Sequence, residues 1–115
     1  MPVSDDYITY TLDLLSDLGS LRIKRMFGGA GVYCGELYFA ILVDDELYFK
    51  VDDHNRGDYE RLGLKPFTYA MKNGSTSTMN YYPVPVDVIE DVEQLTAWAE
   101  KALEASRRSK RKPRK

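Results

Sequence analysis

Gly28, Gly29 and Gly31 are the first residues whose spacing suggests chemistry, because a glycine-rich loop can wrap a phosphate. A phosphate cradle also needs that loop to open a helix, whose amides and dipole hold the anion. Here strand-forming residues flank the glycines on both sides, and the G-x-G-x-x-G spacing fails at Cys34. The segment therefore reads as a tight turn with small residues under an aromatic face.

His54 is the only histidine, and it follows Asp52 and Asp53. A carboxylate next to an imidazole can orient a general base. No nucleophile stands in a matching position, so His54 reads as a solvated surface residue near a helix start. Cys34 is the only cysteine. A reactive thiol wants cationic neighbours or a helix N-terminus. Gly35 and Glu36 supply neither, so Cys34 reads as a small buried hydrophobe. The carboxylates Asp44, Asp45, Glu46, Asp52 and Asp53 do not follow the spacing of a calcium loop, and turns and helix caps account for them. Structural zinc has too few ligands. The residues predict no catalytic group, no metal and no cofactor.

Two surface features remain. Six of the nine tyrosines, Tyr33, Tyr38, Tyr48, Tyr69, Tyr81 and Tyr82, fall on predicted strands. Outward-facing tyrosines can form a binding face, since each offers a large contact area with a polar tip. They can equally pack against one another across a solvated sheet face. The second feature is Arg107, Arg108, Lys110, Arg111, Lys112, Arg114 and Lys115, seven of the 16 basic residues within nine positions. Residues 1–106 hold the other nine against all 18 acidic groups, a formal charge of −9. A basic tail thus hangs from an acidic body. It can neutralise phosphates and give salt-sensitive, sequence-independent nucleic-acid contact. It can also be a solvated end, or fold onto the acidic surface of its own body.

Length and composition bound the rest. A chain of 115 residues is one domain, and folding at that size buries roughly 65% of the unfolded surface. An apolar fraction of 43% is that of a globular protein. A lone cysteine fits a reducing compartment. The first residues lack the basic start and apolar run of a secretory signal, and no stretch is apolar for long enough to span a bilayer. The expected location is cytoplasmic.

The elements that must position these residues follow from periodicity. Ser4 can cap a helix in which Ile8, Thr11, Leu12, Leu15 and Leu18 recur at helical spacing, with Gly19 at its stop. Four strands are predicted at about 22–27, 30–34, 37–43 and 46–51, joined by short turns at Gly28-Gly29, Cys34-Gly35-Glu36 and Asp44-Asp45. The stretch 37–43 is apolar on both faces, as an interior strand covered on both sides would be. Asp53 is expected to cap a short helix running to Leu62, with Gly63 ending it. A second hairpin places Phe67, Tyr69 and Met71 before an Asn73-Gly74 turn and returns through 76–82 until Pro83 and Pro85 stop it. Asp91 and Gln94 have capping-box spacing ahead of a helix that puts Leu95, Trp98, Ala99, Ala102 and Leu103 on one face. Beyond Ser106 the apolar periodicity is gone, so order is expected to fade there. The result is a two-layer α+β domain over residues 1–106, with an antiparallel sheet from two hairpin groups, packing helices at either end and a basic tail over 107–115.

The ordered set Arg25-Met26-Phe27-Gly28-Gly29, Gly31-Val32-Tyr33, Tyr38-Phe39-Ala40, Leu47 to Asp52, Pro66 to Tyr69, Tyr81 to Pro85 and Trp98-Ala99 resembles the N-terminal domain of the TfoX/Sxy competence regulators. The likeness runs from about Leu12 to Ala105. It implies a topology similar to secretion-chaperone-like domains, which often pair, so a homodimer is an expected state. It also implies a non-enzymatic regulatory or adaptor role through protein–protein contacts. Regulators of this kind act in competence gene activation together with the cyclic-AMP receptor protein. They carry a second, helical C-terminal domain, so the sequence resembles a stand-alone version. The expected interaction surface is Arg25, Met26, Phe27, Gly28, Tyr33, Tyr81 and Tyr82. The alternative is a small nucleic-acid-associated protein that binds through its tail.

Overall fold

A computed structural model describes residues 3–26, 29–70 and 72–111, without the side chains of Met26, Ala70 and Arg111. Helix α1 (Asp5–Leu14) begins as expected at Ser4, whose hydroxyl accepts the Tyr7 N–H while Asp5 and Asp6 sit in the positive first turn. A 3-10 turn at Ser16–Leu18 follows, and Gly19 leaves it at φ 105°, a conformation that favours glycine.

Strands β1 (Leu21–Met26), β2 (Gly29–Cys34), β3 (Leu37–Val43) and β4 (Glu46–Lys50) form an antiparallel meander, and β7 (Tyr81–Pro83) pairs with β4 to complete a sheet of order β1-β2-β3-β4-β7. Asp44 and Asp45 both take positive φ, 54° and 58°, as the tight β3–β4 turn demands. The α+β reading holds, with β3 at the centre. Its alternation is broken, because Val32 pairs with Ala40 and Tyr33 with Tyr38, so Phe39 is an extra residue. That bulge lets Phe39, Ala40 and Leu42 all reach the same core.

The helices cover one face of the sheet. Helix α4 (Val92–Arg111) lays Leu95, Ala99, Ala102 and Leu103 on a core that includes Val32, Phe39, Leu42, Leu47 and Phe49. Asp91 caps it: Oδ1 accepts the Glu93 and Gln94 N–H groups, and the Gln94 amide reaches back to Oδ2. Tyr59 in α2 (Arg56–Glu60) is 1% exposed, wedged between Trp98 and Tyr82 with ring centroids 4.8 and 5.4 Å away.

Two local expectations are corrected, and one element is new. Helix α2 is shorter than 53–62 and is led by Asn55, whose side chain is buried, donating to the Lys50 carbonyl and accepting the Asp52 N–H. The second hairpin is not one pair of long strands. Strands β5 (Thr68–Ala70) and β6 (Thr76–Thr78) form a separate two-stranded sheet, and β7 returns to the main one. The break falls at Met79 and Asn80, where the Asn80 carbonyl accepts the Val51 N–H and Phe67 bridges Met79 and Tyr81. Between β7 and α4, a short helix α3 (Val86–Ile89) starts at Pro85, which the periodicity did not show.

Order also continues past Ser106, because α4 runs on through Arg111. The sequence boundary between body and tail therefore falls inside a helix. The reason is tertiary: the Ser106 hydroxyl is buried and donates to the Tyr38 carbonyl at 3.0 Å, and the cations beyond it find carboxylates on the sheet side.

Candidate functional site

The sheet face opposite the helices carries one aromatic or cationic side chain from each strand in a continuous row. The Arg22 guanidinium of β1 lies 4.5 Å from the Tyr33 ring centroid of β2, and Tyr33 stacks on Tyr38 of β3 at 4.8 Å. Tyr38 meets Tyr81 of β7 at 5.8 Å, and the Lys50 ammonium of β4 sits 5.3 Å over Tyr81. Cation–π contacts of this kind fix the rings in place. Burial pushes the Tyr38 and Tyr81 phenols above their ordinary range, and burial lowers Lys50.

The β5–β6 hairpin leans over the neighbouring part of this face. Tyr48 meets Phe67 edge-on at 5.2 Å, and Phe67 stacks on Tyr69 at 6.3 Å. Between sheet and hairpin lies an apolar groove of about 380 Å³. Gly29, Ala30, Ile41 and Val43 line it from the sheet, with Tyr38, Phe67, Tyr69 and Met79 around them. Gly29 is buried, and an added Cβ would come within 2.6 Å of the Leu42 carbonyl oxygen. Only glycine allows the two backbones to meet there.

The expected surface residues are divided by the fold. Tyr33 is half-buried within the row, and Arg25 is exposed but paired with Asp5 of α1. Tyr81 and Tyr82 are only 5% and 7% exposed, so the expectation that both face a partner is corrected. They lie on opposite sides of β7: Tyr81 is held by Tyr38 and Lys50, Tyr82 by Tyr59 in the helix-side core. Phe27, Gly28 and the Met26 side chain lie outside the described residues. Phe67 and Met79 were missed, and Tyr69, named among the strand tyrosines that could form a binding face, was not placed on the expected interaction surface. The alternation of Phe67 and Tyr69 marked the hairpin, but nothing local said that it folds over the sheet.

The basic run is partly committed within the molecule. The Arg108 guanidinium makes a two-pronged contact with Asp52, 2.6 Å from Nε and 3.0 Å from Nη2. The bond to Arg108 holds the Asp52 carboxyl below its usual range, and the bond to Asp52 raises Arg108. Lys110 reaches Glu36 at 3.1 Å, and Arg107 pairs with Glu104 one helical turn back. The Arg111 side chain and residues Lys112, Arg114 and Lys115 lie outside the described residues.

His54 is exposed, its backbone N–H donating to Asp52. It borders an open cleft of about 750 Å³ lined by Asp17, Glu100 and Glu104 together with Lys101, Arg107 and Arg108, a mixture of charges with no serine, threonine or cysteine in the lining. Cys34 is half-buried and its thiol points at the Leu18 carbonyl. No group of three or more histidine, cysteine or acidic residues among the described residues can hold a metal ion. Among the same residues, no helix is long and apolar enough to cross a membrane.

A five-stranded antiparallel sheet with helices on one face, and an aromatic row and groove on the other, defines a two-layer α+β domain. The chain belongs to the TfoX N-terminal domain family, which matches residues 13–106. It is also similar to the DNA transformation protein TfoX1 of Aliivibrio fischeri, with 26% identity over 95 residues. That match covers 83% of this chain and 45% of the relative, so the chain spans less than half of that protein's length.

Proposed function

We propose that this domain is a non-enzymatic regulatory or adaptor module, linked to the control of DNA uptake, that acts through protein–protein contacts at its helix-free sheet face. The observation carrying this reading is the groove under the β5–β6 hairpin, whose lining side chains are apolar or aromatic and include exposed Tyr69. Apolar and aromatic patches rimmed by polar residues are the usual form of a protein contact site. The family relation and the name of the Aliivibrio fischeri relative supply the link to DNA uptake.

Expression of the chain in a competence-capable bacterium lacking its own regulator of this family, scored by transformation frequency, tests the role. Folded Phe67→Ala and Tyr69→Ala variants should lose the effect. A chain without any effect on transformation removes the uptake role, and full activity in both variants removes the groove.

A second reading, nucleic-acid contact through the basic run, rests on the seven cations in residues 107–115. The engagement of Arg107, Arg108 and Lys110 by Glu104, Asp52 and Glu36 weighs against it as the main activity.

A further inference from the structure

The sheet has two edges, and they differ. At β7 the edge is occupied: the Phe67 N–H donates to the Tyr81 carbonyl, and Pro83 has no N–H to offer. At β1 no strand among the described residues lies beside the outer side. An edge strand turns alternate N–H and C=O groups outward, which makes it a template for another extended chain.

The side chains of β1 select what that chain can be. Arg22 and Lys24 share the helix-free face, and Arg25 lies at the other face. Arg22 is engaged by Tyr33 and the Gly35 carbonyl, Arg25 by Asp5, and Lys24 has no carboxylate partner among the described residues. A second copy joined β1 to β1 would set these cations against their counterparts, and like charges across strands are destabilising. An acidic strand meets them favourably.

We propose that β1 is an acceptor edge for an extended, acidic segment of a partner protein, which adds as a sixth strand with carboxylates beside Arg22 and Lys24. This rests on the reading of the domain as a protein-binding module but uses a surface separate from the groove. Affinity comes from main-chain pairing and selectivity from charge.

The test uses the full chain and three fluorescent probes at low salt: a ten-residue peptide alternating glutamate and valine, its lysine–valine counterpart, and a ten-nucleotide single-stranded DNA. The expected result is that the glutamate peptide binds at least tenfold more tightly than the lysine peptide. Charge reversal by Arg22→Glu with Lys24→Glu should invert that preference, and on saturation the β1 amides should exchange more slowly with solvent. Neutralisation by Arg22→Gln with Lys24→Gln should abolish the preference, and it serves if the reversed variant does not fold. Equal binding of both peptides, a preference that survives the substitutions, or unchanged β1 exchange overturns the proposal. So does DNA that binds tightly and displaces the peptide. A Phe67→Ala variant separates the surfaces: it should bind the glutamate peptide normally, whatever becomes of the groove.

Discussion

Arg108 grips Asp52 with two nitrogens across 56 residues of sequence, joining the last turns of α4 to the segment that follows β4. Asp52 also accepts the His54 N–H, so one carboxylate orders both the helix end and the approach to α2. The pair is about 30% exposed on each side, which places it between a weak surface contact and a buried one. Its planar geometry is that of the stronger, two-pronged kind.

Replacing Asp52 by Asn should lower stability at neutral pH by about 1 kcal/mol, read as a lower thermal midpoint. The pH dependence has a defined sign. The folded-state pKa of Asp52 lies below its ordinary 3.8, so around and below that pH the unfolded chain binds more protons than the folded one. The contribution is complete at neutral pH and is lost as pH falls below about 4. The gap between Asp52→Asn and the unaltered chain should therefore close in acid. A gap of constant size down to pH 2 would show that charge is not its source.

Nucleic-acid binding, if measured, should be shallower in salt than seven free cations would give. Seven neutralised phosphates correspond to a log–log slope near about −6, whereas the four left after Arg107, Arg108 and Lys110 are discounted give about −4 at most. Anisotropy titrations of duplex and single-stranded DNA at two salt concentrations read this directly. Asp52→Asn should steepen the slope by releasing Arg108. A slope near −6 in the unaltered chain would mean that phosphates displace the internal carboxylates.

Alanine at Tyr81 or Tyr82 should be a folding defect. Removing a buried aromatic ring costs about 3–5 kcal/mol through lost burial and the cavity left behind. Tyr69 is 43% exposed, and Tyr69→Ala should cost less than about 1 kcal/mol. Denaturant midpoints of the three variants would order them. Similar midpoints for Tyr81→Ala and the unaltered chain would return Tyr81 to the surface.

Gly29→Ala tests the contact of β2 with β3. The new methyl group would press on the Leu42 carbonyl, which is backbone and part of the central strand. We expect a loss of about 1–3 kcal/mol, the usual cost of overpacking. Gly35→Ala meets open space, so any cost there comes from its φ of 62° alone. An unchanged melting curve for Gly29→Ala would mean that the strands can separate locally without penalty.

The amino-acid sequence by itself determined the elements whose cause is local. Ser4 and Asp91 cap helices because a short polar side chain reaches amides two or three residues ahead. The β3–β4 turn follows from Asp44 and Asp45, and the central place of β3 from a stretch that is apolar on both faces. The family was legible for the same reason, as an ordered series of short strand and turn signatures. Only the tertiary structure decided the rest. Tyr81 and Tyr82 alternate like a half-exposed strand, yet both are buried, because Tyr38 and Lys50 cover one side of β7 and Tyr59 the other. For the basic run the sequence left phosphate contact, a solvated end and folding onto its own acidic body all open, since periodicity measures apolar residues and reports nothing about ion pairs. The partners that hold the end of α4, Asp52, Tyr38 and Glu36, lie 56, 68 and 74 residues away from Arg108, Ser106 and Lys110. Propensity acts over a few neighbouring residues, and contacts at such separations exist only once the sheet has brought them together.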